Sequence, residues 1–84
     1  MKVKLRFFAA LRERFGAGEE LDLPEEVNTV GALRDHLRAR GGEWAAAFAA
    51  NRPVRAAVNQ DMAQGDVRIK PGDEIAFFPP VTGG

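Results

Sequence analysis

Hydrophobic and polar residues alternate in two stretches, one near the start of the sequence and one near its end: Lys2–Phe8 and Glu74–Phe78. A period of two predicts β-strands whose successive side chains point to opposite faces. The buried face of the first stretch consists of Val3, Leu5 and Phe7, and that of the second of Ile75 and Phe77. By the same count, Phe8 and Phe78 fall on the outer faces of their strands.

Three intervening stretches are typical of helices: Ala9–Phe15, Val30–Arg40 and Glu43–Ala50. The second has the clearest apolar face, formed by Val30, Leu33 and Leu37. Thr29 is suited to cap its first turn, and Gly41 to end it in a left-handed conformation. In the third stretch, Trp44 and Phe48 lie four residues apart, which places them on one buried side.

The remaining patterns predict further strands and turns: strands at Glu20–Leu23 and Val54–Asn59, a short extended segment at Val67–Ile69, and turns at Asn59–Asp61 and Pro71-Gly72. Proline followed by glycine fits a type II turn because proline presets φ and glycine accepts a positive φ. The order of elements predicts one small α+β domain. We expect this domain to span residues 1–78, followed by an extended tail over residues 79–84.

Composition narrows the possible functions. Twelve basic and twelve acidic residues cancel among 84, which argues against nucleic acid or an acidic membrane surface as a partner. Cysteine is absent and there is one histidine, so we expect no disulfide, no cysteine nucleophile and no metal site. The longest apolar run, Trp44–Ala50, is far shorter than the ~18 residues of a membrane span. We therefore expect a cytoplasmic protein.

The last residues point to chemistry at the C-terminus. Pro79 and Pro80 cannot donate to a sheet, so the last strand must stop before them and the tail should project from the body. Val81 and Thr82 favour extended backbone because they are β-branched. Gly83 and Gly84 have no side chains, which lets a terminal carboxylate enter a narrow channel. A carboxylate can be activated there as an acyl-adenylate and then converted to a thiocarboxylate by a sulfur nucleophile.

Four segments resemble the small, sulfur-carrying subunits of molybdopterin synthase, of the MoaD type: VKLRFFAALRE (3–13), TVGALRDHL (29–37), AAVNQ (56–60) and GDEIAFFPPVTGG (72–84). The resemblance implies a ubiquitin-like β-grasp fold, a mixed sheet packed against one main helix with the first and last strands parallel at its centre. It also implies that an E1-like adenylyltransferase uses ATP to activate Gly84. Sulfur from a separate donor then makes a C-terminal 1-thioglycine, with no cofactor bound by the chain itself.

The same resemblance implies partners and an interface. The working form in the family is a heterotetramer of two small and two large subunits, and the large subunit holds the catalytic site where a pterin precursor receives the sulfur. The carrier would thus not be an enzyme alone. Phe8, Met62 and Phe78 are expected to anchor the large subunit, since neighbouring exposed aromatic residues mark partner sites. The stretch from Pro79 to Gly84 is expected to be the inserted arm.

Other interpretations stay open at the level of sequence. A sulfur carrier could serve thiamine synthesis, tRNA thiolation or cysteine synthesis instead. A ubiquitin-like modifier would use the same activation of Gly84 but pass it to a lysine amine. A plain binding module would recruit its partner through a sheet edge or the aromatic patch and would not need the two terminal glycines.

Overall fold

The computed structural model describes residues 1–80 and contains five strands and three helices in that range. In chain order they are β1 (Lys2–Phe7), α1 (Ala9–Phe15), β2 (Gly18–Asp22), α2 (Val30–Arg38), α3 (Gly42–Ala47), β3 (Arg55–Val58), β4 (Asp61–Ala63) and β5 (Glu74–Phe78). The predicted bounds of α1 and β5 are confirmed. The strands form one sheet in the order β2-β1-β5-β3-β4.

The two central strands, β1 and β5, run parallel, with Leu5 opposite Ile75 and Phe7 opposite Phe77. All other pairs in the sheet are antiparallel. Parallel neighbours need a long crossover connection, and here every other element of the chain lies between them. The mixed sheet with its first and last strands at the centre is the β-grasp arrangement that the resemblance implied.

The helices cover one face of the sheet and leave the other face bare. The predicted inward residues of both central strands are almost wholly buried, as are the apolar residues of α2: Val3, Leu5, Phe7, Ile75, Phe77, Val30, Leu33 and Leu37. They form one cluster with Leu11 of α1 and Phe48. Because this single core lies on one side, the alternate residues of the central strands face away from it.

Helix α2 starts as its sequence predicts. The backbone of Thr29 is extended, and its Oγ1 accepts a hydrogen bond from the Ala32 nitrogen at 3.1 Å. The helix ends at Arg38, two residues earlier than predicted. Its last turn tightens, since the nitrogen of Arg40 donates to Leu37 and that of Gly41 donates to Arg38, both three residues back.

The side of the core beneath α1 and α3 is filled by aromatic rings. Trp44 stacks on Phe15 with ring centroids 3.8 Å apart, and it meets Phe7 edge-on at 5.8 Å. Phe48 is fully buried, which confirms that Trp44 and Phe48 share an inward side. The guanidinium of Arg40 covers the Trp44 ring at 4.5 Å and limits its exposure.

Three differences from the predicted elements have physical causes. Strand β2 begins at Gly18 because pairing with β1 determines its extent. Strand β4 was missed: its three residues carry too short an alternation, and they are extended because they pair with β3. The predicted extended segment Val67–Ile69 is not one of the strands; Arg68 makes a single isolated β-bridge, to Thr29.

The described part of the chain, residues 1–80, contains no helix that is both long enough and apolar enough to cross a membrane.

Candidate functional site

The C-terminal tail begins at the centre of the sheet. Strand β5 ends at Phe78, and the Phe8 nitrogen donates to the carbonyl oxygen of Phe77 at 3.2 Å. This is the last hydrogen bond of the parallel pair before Pro79, which has no N–H to continue a ladder. A tail that starts between two buried strands has a firmly held root.

The bare face of the sheet carries an apolar patch next to this root. We define the outer patch as five residues from four neighbouring strands or their ends: Phe8, Ala57, Met62, Ala76 and Phe78. Strand register places Ala57 between Ala76 on one side and Met62 on the other. The register therefore places the three predicted interface residues on the same face of the sheet.

Exposure differs among these residues. Phe8 is 43% exposed and Met62 is 61% exposed, which are high values for large apolar side chains. Phe78 is half-buried. Helix α1 starts immediately after Phe8 but does not cover its ring. Exposed large apolar residues on one face of a sheet are typical of a surface that another protein covers.

Charged residues frame the outer patch. Arg55 lies opposite Phe78 in the register of β3 and β5, and Arg6 lies opposite Ala76. Arg6 Nη1 is 3.7 Å from Glu74 Oε2, a loose and partly exposed ion pair. An apolar centre with a charged rim is the usual composition of a protein interface.

The start of the tail differs from its predicted path. Pro79 and Pro80 are half-buried and line a groove beside α1, instead of projecting free of the body. Their rings are apolar, so lying against the protein removes them from water. The other tail residues singled out by sequence, Val81, Thr82, Gly83 and Gly84, lie outside the described residues.

One residue near the tail root was not found from sequence. Arg34 on α2 donates through Nη2 to the carbonyl oxygens of Ala49 and Arg52 at 2.7 and 2.8 Å, and through Nε to Phe48 at 3.3 Å. It thereby holds the segment that connects α3 to β3. The sequence places an arginine on the polar side of α2, but it does not show which carbonyl oxygens accept hydrogen bonds from it.

The acidic side chains of the described residues are dispersed or already hydrogen-bonded. Within residues 1–80, no three or more His, Cys, Asp or Glu side chains are grouped to hold a metal ion. The one buried carboxylate in that range, Asp73, is occupied by hydrogen bonds from Asn59 and Lys70.

Comparison with known proteins agrees with this geometry. The chain is 43% identical over 82 residues to the molybdopterin synthase sulfur carrier subunit of Escherichia coli (strain K12), covering 98% of this chain and 99% of that protein. A molybdopterin-converting factor chain from Helicobacter pylori 26695, solved as a complex of subunits 1 and 2, superposes with a TM-score of 0.68 at 26% identity, with all of both chains covered.

A third similar protein has a different function in its name. Small archaeal modifier protein 1 of H. volcanii superposes with a TM-score of 0.67 at 25% identity, covering 95% of this chain and 98% of that one. The chain also matches the ThiS family from residue 5 to residue 84, which includes the second half of β1, all of β5 and the terminal glycines. On the strength of that match, the protein belongs to the ThiS family.

Proposed function

We propose that this protein is the sulfur carrier subunit of a molybdopterin synthase. The observation that carries the proposal is its 43% identity, over nearly its whole length, to a protein of that name. The firmly held tail root and the outer patch, with its exposed Phe8 and Met62, support it, because a carrier must both dock and deliver its terminus.

The chemistry takes place at Gly84. An activating protein of the E1 type joins the terminal carboxylate to the AMP portion of ATP and releases pyrophosphate. A sulfur donor then replaces AMP, which leaves a C-terminal thiocarboxylate. AMP is a far better leaving group than the oxide ion of a free carboxylate, so the activation step is required.

The charged carrier then docks on a large subunit, whose catalytic site receives the tail and passes sulfur to a pterin precursor. The name of the Helicobacter pylori complex, subunits 1 and 2 of a molybdopterin-converting factor, supports such a partner. Phe8, Met62 and Phe78 serve as anchors, and the stretch from Pro79 to Gly84 serves as the arm. Two small and two large subunits form the assembly, which works in the cytoplasm where ATP is available.

Mass spectrometry of the intact protein tests the central claim. We expect incubation with the activating protein, ATP and a sulfur donor to replace one oxygen by sulfur, with fragmentation locating the change at Gly84. A variant that lacks Gly83 and Gly84 should stay unmodified and should fail to support molybdopterin synthesis. Synthesis by the truncated variant would overturn the proposal.

A second candidate function follows from the likeness to small archaeal modifier protein 1. A modifier would pass its activated Gly84 to a lysine amine and form an isopeptide bond. Conjugates of the chain with other proteins in a cell lysate would favour this function. Such conjugates should be absent from cells that produce only the variant lacking Gly83 and Gly84.

A further inference from the structure

A groove runs beside the tail root on the helix side of the sheet. The prolines Pro79 and Pro80 form one wall, and Ala10, Leu11 and Arg14 of α1 form another, with Arg52 at the far rim. Its volume is about 320 Å³, and most of its lining is apolar. We call it the tail-root groove.

The tail-root groove and the outer patch lie on opposite sides of the same segment. Leu11 belongs to the buried core on the helix side, whereas Phe8 projects from the bare face. The chain passes between them as β5 ends and Pro79 begins. A protein that covered the outer patch and extended past the sheet end would reach the groove.

The far wall of the groove is held in place before any partner arrives. Arg34 binds the carbonyl oxygens of Phe48, Ala49 and Arg52, and the Arg52 nitrogen donates to Ala49 at 2.9 Å. These bonds fix the backbone on which the Arg52 side chain stands. Binding to a preformed wall avoids the entropic cost of ordering a loop.

Two exposed guanidinium groups flank the groove. Among residues 1–80, neither Arg14 nor Arg52 forms an ion pair. Two unpaired cations beside an apolar floor favour a ligand that combines a carboxylate with an apolar side chain. Arginine suits this purpose because its planar fork binds a carboxylate through two hydrogen bonds.

We propose that the tail-root groove binds an acidic segment of the large subunit, one with a carboxylate side chain beside an apolar residue. The large subunit then holds the tail root from both sides, through the outer patch on one and through Arg14 and Arg52 on the other. This inference rests on the proposed function, because it assigns the groove to the same partner. Its physical effects are faster association and a fixed direction for the tail.

Titration calorimetry with the purified large subunit tests the inference. The full-length chain is compared with the double variant Arg14→Glu/Arg52→Glu at low and moderate ionic strength. We expect the variant to bind on the order of tenfold more weakly at low salt and to respond less to added salt. The milder Arg14→Gln/Arg52→Gln variant should lose affinity in the same direction, which guards against a folding defect.

The matched control is Arg68→Glu/Lys70→Glu, which changes the net charge equally at two exposed residues outside the groove. It should bind close to wild type. Equal losses of affinity in both double variants would show that overall charge is the cause, and this would overturn the inference. Unchanged binding of the groove variant would also overturn it, as would a loss confined to activation by the adenylating protein. If the wild-type chain itself failed to bind the large subunit, the proposed function would fail instead.

Discussion

The side-chain amide of Asn59 donates to the carboxylate of Asp73, with Nδ2 and Oδ1 3.0 Å apart. The second oxygen of Asp73 accepts from the Lys70 nitrogen at 2.8 Å, and Asn59 Oδ1 accepts from the Glu74 nitrogen at 3.0 Å. These bonds join the turn between β3 and β4 to the start of β5. They lie at the end of the sheet opposite the tail root, so they hold the sheet together without touching the candidate site.

Replacing Asp73 by alanine should lower the free energy of unfolding by about 1–3 kcal/mol, because two partly buried donors, the Asn59 amide and the Lys70 nitrogen, lose their acceptor. Urea denaturation of the purified chain measures this loss. Asp66→Ala is the matched control, since Asp66 is exposed, and it should change stability by less than about 0.5 kcal/mol. Sulfur loading of Gly84 in the folded fraction should be unchanged, and a specific loss of loading would contradict the purely structural role.

A glycine at position 60 should stabilise the turn between β3 and β4. Asn59 and Gln60 both have positive φ, 50° and 74°, as in a two-residue type I′ hairpin turn. Gln60→Gly removes a side chain that disfavours this conformation and should raise the free energy of unfolding by about 1 kcal/mol. Gln64→Gly, where φ is not positive, should lower it slightly. A rise at both positions would show that backbone conformation is not the cause.

Gly18 should not tolerate alanine. Its φ is 153°, and a Cβ there would overlap the carbonyl oxygen of Leu5 in β1. Gly18→Ala should therefore separate β2 from β1 locally and cost roughly 2 kcal/mol or more, measurable as a lower melting temperature. At Gly65 a Cβ would meet nothing closer than Gly31 Cα at 3.6 Å, so Gly65→Ala should be well tolerated. Similar losses in the two variants would count against this explanation.

Truncation of Phe8 should affect binding more than folding. Its ring is exposed, so Phe8→Ala should leave the free energy of unfolding within about 1 kcal/mol of wild type. Binding to the large subunit should weaken by about 1–3 kcal/mol in free energy, because the ring is buried at the proposed interface. Val67→Ala, at another exposed apolar residue outside the outer patch, is the control for calorimetry. Equal affinities for wild type and Phe8→Ala would remove Phe8 from the interface.

Arg34 should act through the wall of the tail-root groove. Arg34→Ala leaves three carbonyl groups without their donor, so the free energy of unfolding should fall by about 1–3 kcal/mol. Proteolysis of the segment from Ala49 to Pro53 should become faster. Lysine should restore little, because one ammonium group cannot reproduce the fork that contacts three carbonyl oxygens. The control Arg38→Ala removes only an exposed pair with Asp35 and should cost about 0.5 kcal/mol or less. Full rescue by lysine would argue for charge alone.

Much of the architecture could be predicted from local patterns. Alternation identified both central strands, and the bounds of β5 were correct, because proline stops a strand at a definite residue. Thr29 and the apolar face of α2 identified the main helix. The same alternation placed Phe8 and Phe78 on outer faces. These features depend on residues close together in the chain, so they can be predicted before the fold is known.

Features made by contacts between distant residues needed the tertiary structure. Strand β4 exists because β3 pairs with it, and its three residues carry no sufficient pattern of their own. The half-buried position of Pro79 and Pro80 depends on the nearby surface of α1, and the contacts of Arg34 depend on how α2 lies over the segment after α3. By itself, the sequence determined the alternation of the central strands and the N-terminal cap of α2. Only the tertiary structure decided which surfaces flank the tail, because that depends on packing between residues far apart in the chain.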